Sequence, residues 1–121
     1  MSSENKFEDE VVDNKNKRMV RCQFCESLML RQQTASFEKQ EYDLPLMHQK
    51  NSRAPGEIEK ETLSGFWVVE DMMTFENIGF SNTLDRTKFL ICCDCEMGPV
   101  GYHNIDTRVS YVALSRVRHV D

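Results

Sequence analysis

The chain has 121 residues, enough for one modest domain, and its formal net charge at pH 7 is −5. Because an acidic chain repels phosphate groups, this charge argues against a nucleic acid or an anionic membrane surface as partner. The apolar runs are too short to span a bilayer, so direct membrane insertion is not expected either.

The first 17 residues are rich in acidic and amide side chains and poor in large apolar ones. Such a segment cannot offset its ordering entropy by burial, so we predict a disordered acidic tail over residues 1–17 and a folded domain over residues 18–121. The polar start is unlike a secretory signal. Together with the five cysteines, it predicts reduced thiols and a cytoplasmic location.

Short stretches rich in β-branched and aromatic residues predict strands along the rest of the chain. They cover residues 18–21, 27–30, 35–44, 65–70, 87–92 and 109–117. A polar stretch at about residues 49–64 predicts a mobile surface loop. No stretch has the periodicity of a long helix, so the predicted fold class is mainly β.

The segment from Trp67 to Phe80 begins as a strand, contains the adjacent acids Glu70 and Asp71, and continues with Met72 and Met73. Strict alternation along a strand would place the two methionines on opposite faces, so one of them would be exposed. Exposed methionine beside carboxylates is typical of a protein contact surface. A core strand followed by a charged turn is the alternative interpretation.

Two C-x-x-C pairs, Cys22/Cys25 and Cys92/Cys95, each follow a strand-like stretch. Two residues between cysteines allow a tight turn to direct both sulfurs at one metal ion. Two such turns supply the four thiolates that zinc accepts in a closed tetrahedral site. We therefore predict one structural zinc ion joining the two C-x-x-C turns. A redox C-x-x-C motif and buried free cysteines are the alternatives.

Cys93 lies inside the second pair and alternates with Cys92, so its thiol is expected to point away from the metal. A reactive thiol or an alternate metal ligand is the rival interpretation. The three histidines are scattered, and the sequence contains neither a Gly-rich phosphate loop nor a G-x-S-x-G motif. These observations favour an interaction protein without covalent chemistry of its own over an enzyme.

Five stretches of the chain together resemble the Rab-interacting factor family, the small zinc-binding exchange factors and chaperones of exocytic Rab GTPases. They are CQFC at 22–25, WVVEDM at 67–72, FENIGF at 75–80, KFLICCDCEMGPVG at 88–101 and YVAL at 111–114. The resemblance extends from about Met19 to His119, nearly the whole part of the chain that we expect to fold.

This resemblance implies a β-tent fold with zinc at the two C-x-x-C turns. It also implies a protein that binds nucleotide-free Rab GTPases, promotes release of their guanine nucleotide and stabilises the empty form in vesicular transport. By position, Glu70, Asp71, Met72 and Asn77 fall in the Rab-contacting segment of the family, and Asp94 lies at the edge of the metal site.

Some positions depart from the family pattern. Met73, which we include among the expected Rab-binding residues, stands where the family pattern leads us to expect an aromatic residue, and Tyr102 stands where we expect tryptophan. The stretch 49–64 also differs in content. These departures bear on which Rab GTPase is bound more than on the class of activity. Nothing in the sequence requires more than a monomer.

Two other function classes fit parts of the sequence. A methionine sulfoxide reductase B, a related fold with two C-x-x-C zinc pairs, would need Cys93 as its reactive cysteine. Sulfoxide reduction that is lost in Cys93→Ser would support that class. A zinc-ribbon nucleic-acid-binding module would need basic and aromatic residues interleaved on one face, and salt-sensitive binding to RNA or DNA would support it.

Overall fold

The computed structural model describes residues 9–45, 48–49, 60–80 and 86–120. In these ranges the chain forms 13 β-strands and two 3-10 turns, at Met72–Thr74 and Leu114–Arg116. The strands are β1 (Val11–Val12), β2 (Lys15–Asn16), β3 (Met19–Cys22), β4 (Leu28–Leu30), β5 (Ser36–Pro45), β6 (His48–Gln49), β7 (Lys60–Val69), β8 (Ile78–Phe80), β9 (Thr87–Cys92), β10 (Met97–Gly98), β11 (Gly101–Asn104), β12 (Val109–Ala113) and β13 (Val117–Val120). The predicted mainly β fold class is confirmed.

Most strands belong to one large antiparallel sheet. Its strand order is β1-β2-β5-β7-β12-β11-β9-β8, and a three-stranded sheet has the order β13-β3-β4. The short strands β6 and β10 form a separate pair. Within the described ranges no helix is long and apolar enough to cross a membrane.

Alternation along β7 divides the core into two clusters. Trp67 and Val69 face the larger cluster, which also contains Val20 and Met29 from the three-stranded sheet. Phe66 belongs to the smaller cluster, where its ring lies edge-on to Tyr102 with the centroids 5.7 Å apart. The larger cluster therefore holds the two sheets together, and the smaller one covers part of the opposite face of the large sheet.

The disordered tail predicted over residues 1–17 does not hold for its second half. β1 pairs with β2, and Lys15 of β2 pairs with Ser36 of β5, so a hairpin extends the edge of the large sheet. Asn16 in this hairpin is completely buried. Composition predicts disorder here because it reflects the apolar area available for burial, whereas this hairpin is also held by hydrogen bonds to the buried Asn16 amide. Residues 1–8 lie outside the described residues.

The predicted mobile loop at about residues 49–64 is wrong for its last five residues. Residues 60–64 belong to β7, where Leu63 is buried and pairs with Tyr42 of β5. The flanking polar residues suggest a loop, but pairing with the long strand β5 extends the strand through them. Residues 50–59 lie outside the described residues.

Candidate metal centre and the adjoining surface

The two C-x-x-C motifs form turns with the same hydrogen-bond pattern. β3 ends at Cys22 and β9 ends at Cys92. The N–H of Glu26 donates to the carbonyl oxygen of Cys22, and the N–H of Glu96 donates to that of Cys92, each at 2.9 Å. Both glutamates have a positive φ, 64° and 61°. Each chain segment therefore reverses tightly after its second cysteine, here Cys25 and Cys95.

The turns bring four sulfur atoms together. The Sγ atoms of Cys22, Cys25, Cys92 and Cys95 all lie within 4.8 Å of one another, and none is in a disulfide. Cys22 Sγ is 3.6 Å from Cys95 Sγ, and Cys25 Sγ is 3.5 Å from Cys92 Sγ. Four thiolates bonded at about 2.3 Å to one tetrahedral ion would stand about 3.8 Å apart. The cluster therefore fits a single metal ion.

The protonation of these thiols depends on their surroundings. Burial raises the pKa of Cys95 to about 12 and also raises the pKa of Cys92. A hydrogen bond with the Ser27 hydroxyl lowers the pKa of Cys25 to about 7. Because a metal binds thiolates, binding at this centre would release protons and be weaker at acidic pH.

Ser27 connects the two turns through its hydroxyl group. Its Oγ lies 3.3 Å from Cys25 Sγ and donates a hydrogen bond to the Asp94 carboxylate of the second turn. Asp94, one of the expected Rab-binding residues, is exposed at the edge of the cysteine cluster. The sequence carries no signal for Ser27, because only the fold brings residues 27 and 94 together.

Cys93 does not belong to the cysteine cluster among the described residues. Its side chain is exposed, and its Sγ lies over Gly79 of β8, at 3.2 Å from where a Cβ would stand. The N–H of Cys93 donates to the carbonyl oxygen of Asn77 at 2.9 Å. The second turn is thus fastened to the chain segment that precedes β8.

The segment after β7 turns away from the sheet instead of continuing as a strand. The Asp71 carboxylate accepts a hydrogen bond from the N–H of Met73 at 2.9 Å and caps the 3-10 turn Met72–Thr74. Met72 is 50% exposed and Met73 is 84% exposed. Strict alternation predicted one exposed methionine, and this was wrong because residues in a turn do not alternate between two faces. Glu70 and Asp71 are also exposed.

Asn77 anchors the far end of this segment. Its side-chain amide donates to the carbonyl oxygen of Leu28 at 2.9 Å, and its backbone has a φ of 56°, which asparagine tolerates better than most residues. The neighbouring N–H of Glu76 donates to the carbonyl oxygen of Met29 at 2.9 Å, and its carboxylate pairs with Arg31 at 2.8 Å. The segment is therefore held against β4, beside the first cysteine turn.

A concavity of about 790 Å³ opens beside the acidic and methionine residues. Its lining residues are Glu70, Asp71, Met72, Lys88, His103, Ile105 and Arg108. Three of these lining residues, Glu70, Asp71 and Met72, were expected to bind the partner. The other three expected residues, Met73, Asn77 and Asp94, do not line the concavity. The basic members were missed because they belong to β9 and to the turn after β11, which are distant from Glu70 in the chain.

Comparison with known proteins gives a family and two relatives. A family model described as Mss4 protein matches residues 15–119. The chain is 54% identical over 121 residues to a Drosophila melanogaster protein named guanine nucleotide exchange factor MSS4 homolog, covering 100% of this chain and 99% of the relative. It is 30% identical over 90 residues to a Schizosaccharomyces pombe protein of the same name, covering 74% of this chain and 83% of the relative.

Proposed function

Since the chain belongs to the Mss4 protein family, we propose that it is a guanine nucleotide exchange factor and chaperone for Rab-type small GTPases. This membership confirms the family resemblance recognised in the sequence. The observation that carries the proposal is the 54% identity, over the whole chain, to a relative named as an exchange factor. The protein would act in the cytoplasm, as a monomer, in vesicular transport.

We propose that the metal ion is zinc and that its role is structural. Cys22, Cys25, Cys92 and Cys95 would hold it, and a site closed by four protein ligands leaves no position for a substrate. The ion would connect the turn after β3 to the turn after β9 and so hold the two cysteine turns together beside the segment 70–77. The chemistry of this protein therefore needs no covalent step of its own.

Nucleotide release follows from differential affinity. If the protein binds the nucleotide-free GTPase more tightly than the loaded one, linkage requires that it weakens nucleotide binding by the same factor. The same preference stabilises the empty GTPase against unfolding, because a protein that binds only the folded form shifts the folding equilibrium toward that form. One contact surface therefore accounts for both the exchange role and the chaperone role.

The expected Rab-binding residues form that surface. Glu70 and Asp71 would pair with basic or amide groups of the GTPase, and Met72 and Met73 would pack on apolar surface that is exposed when the nucleotide pocket loosens. Large exposed apolar side chains such as Met73, 84% exposed, contribute little to folding and are available for a partner. Asn77 and Asp94 continue the surface toward the cysteine turns.

The test is nucleotide release from Rab GTPases loaded with a fluorescent guanine nucleotide. Asp71→Asn keeps the oxygen that caps the turn and removes the charge, whereas Asp71→Ala removes both. We expect Asp71→Asn and Met73→Ala to slow release about tenfold each, equivalent to a barrier to release that is about 1.4 kcal/mol higher. Val12→Ala, at an exposed valine of β1, is the matched control.

Two results would contradict the proposal. The first is undiminished release with both variants while their metal content and circular dichroism match the unsubstituted protein. The second is equal affinity for empty and loaded GTPases across a Rab panel, because a protein with equal affinity for two states cannot shift their equilibrium.

A further inference from the structure

The concavity beside Glu70 contains basic groups that the proposed exchange surface does not use. Lys88 lies on β9, and Arg108 lies in the turn that joins β11 to β12. Lys88 is half-buried and Arg108 is exposed. Within the part of the chain that the structure describes, neither side chain forms a hydrogen bond or an ion pair.

The sheet register gives the distance between the acidic and the basic sides. Val69, Ser110, His103 and Lys88 are successive cross-strand partners on β7, β12, β11 and β9. Three strand spacings separate Val69 from Lys88, or roughly 14 Å. Glu70 follows Val69 directly, so the acids stand at one end of this row and Lys88 stands at the other.

The floor between the two ends is only weakly polar. His103 is buried and its Nδ1 lies 2.8 Å from the Ser110 hydroxyl, so these two polar groups satisfy each other. The ring of His103 also packs edge-on against Phe80, with the centroids 5.3 Å apart. Met72 and Ile105 supply apolar contacts at the same concavity.

The turn that carries Arg108 is fixed by its own hydrogen bonds. The Asn104 side-chain oxygen accepts from the N–H groups of Asp106 and Thr107 at 2.9 and 3.1 Å. The Asp106 carboxylate is occupied by the Arg86 guanidinium, with Nε at 2.8 and 2.9 Å from its two oxygens. Because Asp106 already pairs with Arg86, it does not pair with Arg108, and the charge of Arg108 is available to a partner.

We propose that this concavity binds a short extended segment of the GTPase partner in which an apolar side chain lies between a basic and an acidic one. A span of roughly 14 Å accommodates about four extended residues. The basic side chain would pair with Glu70 and Asp71, and the acidic one with Lys88 and Arg108. This inference rests on the proposed function and adds the basic end as a determinant of partner choice.

Charge complementarity favours this occupant. A phosphate-bearing ligand would be attracted by the basic end but repelled by the two acids, and a purely basic segment would be repelled by Lys88 and Arg108. A segment with both signs in the right order satisfies all four groups. Like-charge contacts against wrong partners would then provide discrimination among GTPases.

The test measures affinity for a nucleotide-free Rab GTPase that the unsubstituted protein binds. We expect the double variant Lys88→Glu/Arg108→Glu to bind at least tenfold more weakly, with the loss reduced at high salt. Lys60→Glu reverses an exposed lysine at the other end of β7 and is expected to change the affinity less than twofold. If the double variant folds poorly, Lys88→Met/Arg108→Met tests the same charges without reversal.

Hydrogen exchange gives a second readout. Complex formation is expected to slow exchange of the amides of residues 105–108 at least fivefold. Unchanged affinity in the basic variants, or unchanged exchange in this turn, would overturn the proposal. If the basic variants bind normally but Asp71→Asn still weakens binding, the proposed function stands and only the role of the basic end is refuted. If no Rab GTPase binds the unsubstituted protein, the proposed function fails and this inference fails with it.

Discussion

At the scale of single residues, the buried amide of Asn16 joins the N-terminal hairpin to residues 31–35. Its Nδ2 donates to the carbonyl oxygens of Arg18 and Arg31 at 2.9 and 2.8 Å. Its Oδ1 accepts from the N–H groups of Thr34 and Ala35 at 3.0 and 2.9 Å. All four hydrogen-bonding positions of the amide are used, so the N-terminal hairpin is attached to the fold by polar contacts.

Replacing Asn16 tests this attachment. Asn16→Ala removes four hydrogen bonds and leaves the N–H groups of Thr34 and Ala35 without their acceptor, whereas the Arg31 carbonyl oxygen keeps the hydrogen bond from the Thr34 hydroxyl. We therefore expect a loss of about 3 kcal/mol in the free energy of unfolding. Urea unfolding of the metal-loaded protein measures it. Lys17→Ala, at an exposed neighbour, should change stability by less than about 0.5 kcal/mol. A loss for Asn16→Ala as small as that of the control would show that the hairpin unfolds separately.

His119 provides a pH-dependent contribution to stability. Its Nε2 accepts a hydrogen bond from Trp67 Nε1 at 2.9 Å. Burial lowers the pKa of His119 below its ordinary value of 6.5, with a smaller lowering from Arg18 and an opposing effect from Glu10. The folded state therefore favours the neutral ring, whereas the unfolded state takes up a proton below about pH 6.5.

The expected result is a loss of stability as pH falls from 7.5 to 5.5, because the unfolded state binds more protons in that window. His119→Gln keeps an acceptor for the indole and cannot titrate, so its unfolding free energy should depend less steeply on pH. Both proteins keep the metal-binding thiols, so the difference between their slopes isolates His119. Identical slopes would refute the assignment.

At the scale of elements, the contact between β11 and β12 depends on a residue without a side chain. A Cβ added to Gly101 would stand 1.8 Å from the carbonyl oxygen of Tyr111 and 2.9 Å from the Cα of Val112. Both are backbone atoms, which cannot move away without breaking the strand pairing. These two strands lie between β7 and β9, so they connect the acidic segment to the second cysteine turn.

Gly101→Ala should therefore destabilise the protein by at least about 3 kcal/mol, or prevent its soluble expression. Gly79→Ala is the control, since its Cβ would meet only the exposed side chain of Cys93 at 3.2 Å and that of Ile91 at 3.7 Å. We expect a loss of less than about 1 kcal/mol for the control. Thermal unfolding and yield measure both, and similar values for the two variants would contradict the packing argument.

At the scale of the whole molecule, the cysteine cluster joins distant parts of the chain. Cys22 and Cys95 are 73 positions apart, and Cys25 and Cys92 are 67 positions apart. The first turn belongs to the three-stranded sheet and the second turn follows β9 of the large sheet. A bound ion would therefore act together with the larger core cluster in holding the two sheets to each other.

Metal removal tests this role. In small zinc domains the metal supplies about 10 kcal/mol or more of folding free energy, so a strong chelator should unfold this protein or expose its core. Cys95→Ser should lose the ion and the cooperative thermal transition, whereas Cys93→Ser should keep one ion per chain. Elemental analysis with circular dichroism measures both. A metal-free Cys95→Ser variant with an unchanged transition would contradict the structural role.

Several features follow from the sequence alone because their signals are local. The spacing of the four cysteines predicted a shared metal site, and the thiols do converge. The strand predicted over residues 87–92 has the same ends in the structure, and the one predicted over residues 18–21 lies one residue later, at Met19–Cys22. Glu70, Asp71 and Met72 were singled out because acids and methionines at the end of a strand are unusual in a core.

Other features were decided by tertiary structure, because they depend on groups far apart in the chain. The ordering of the N-terminal hairpin requires carbonyl and N–H groups that residues 31–35 bring to Asn16. The exposure of both Met72 and Met73 results from the turn that Asp71 caps, and the basic end of the concavity requires β9 to lie three strands from β7. A pattern in the sequence determines which groups are present and the local backbone they favour. Which groups face each other depends on strand order and register.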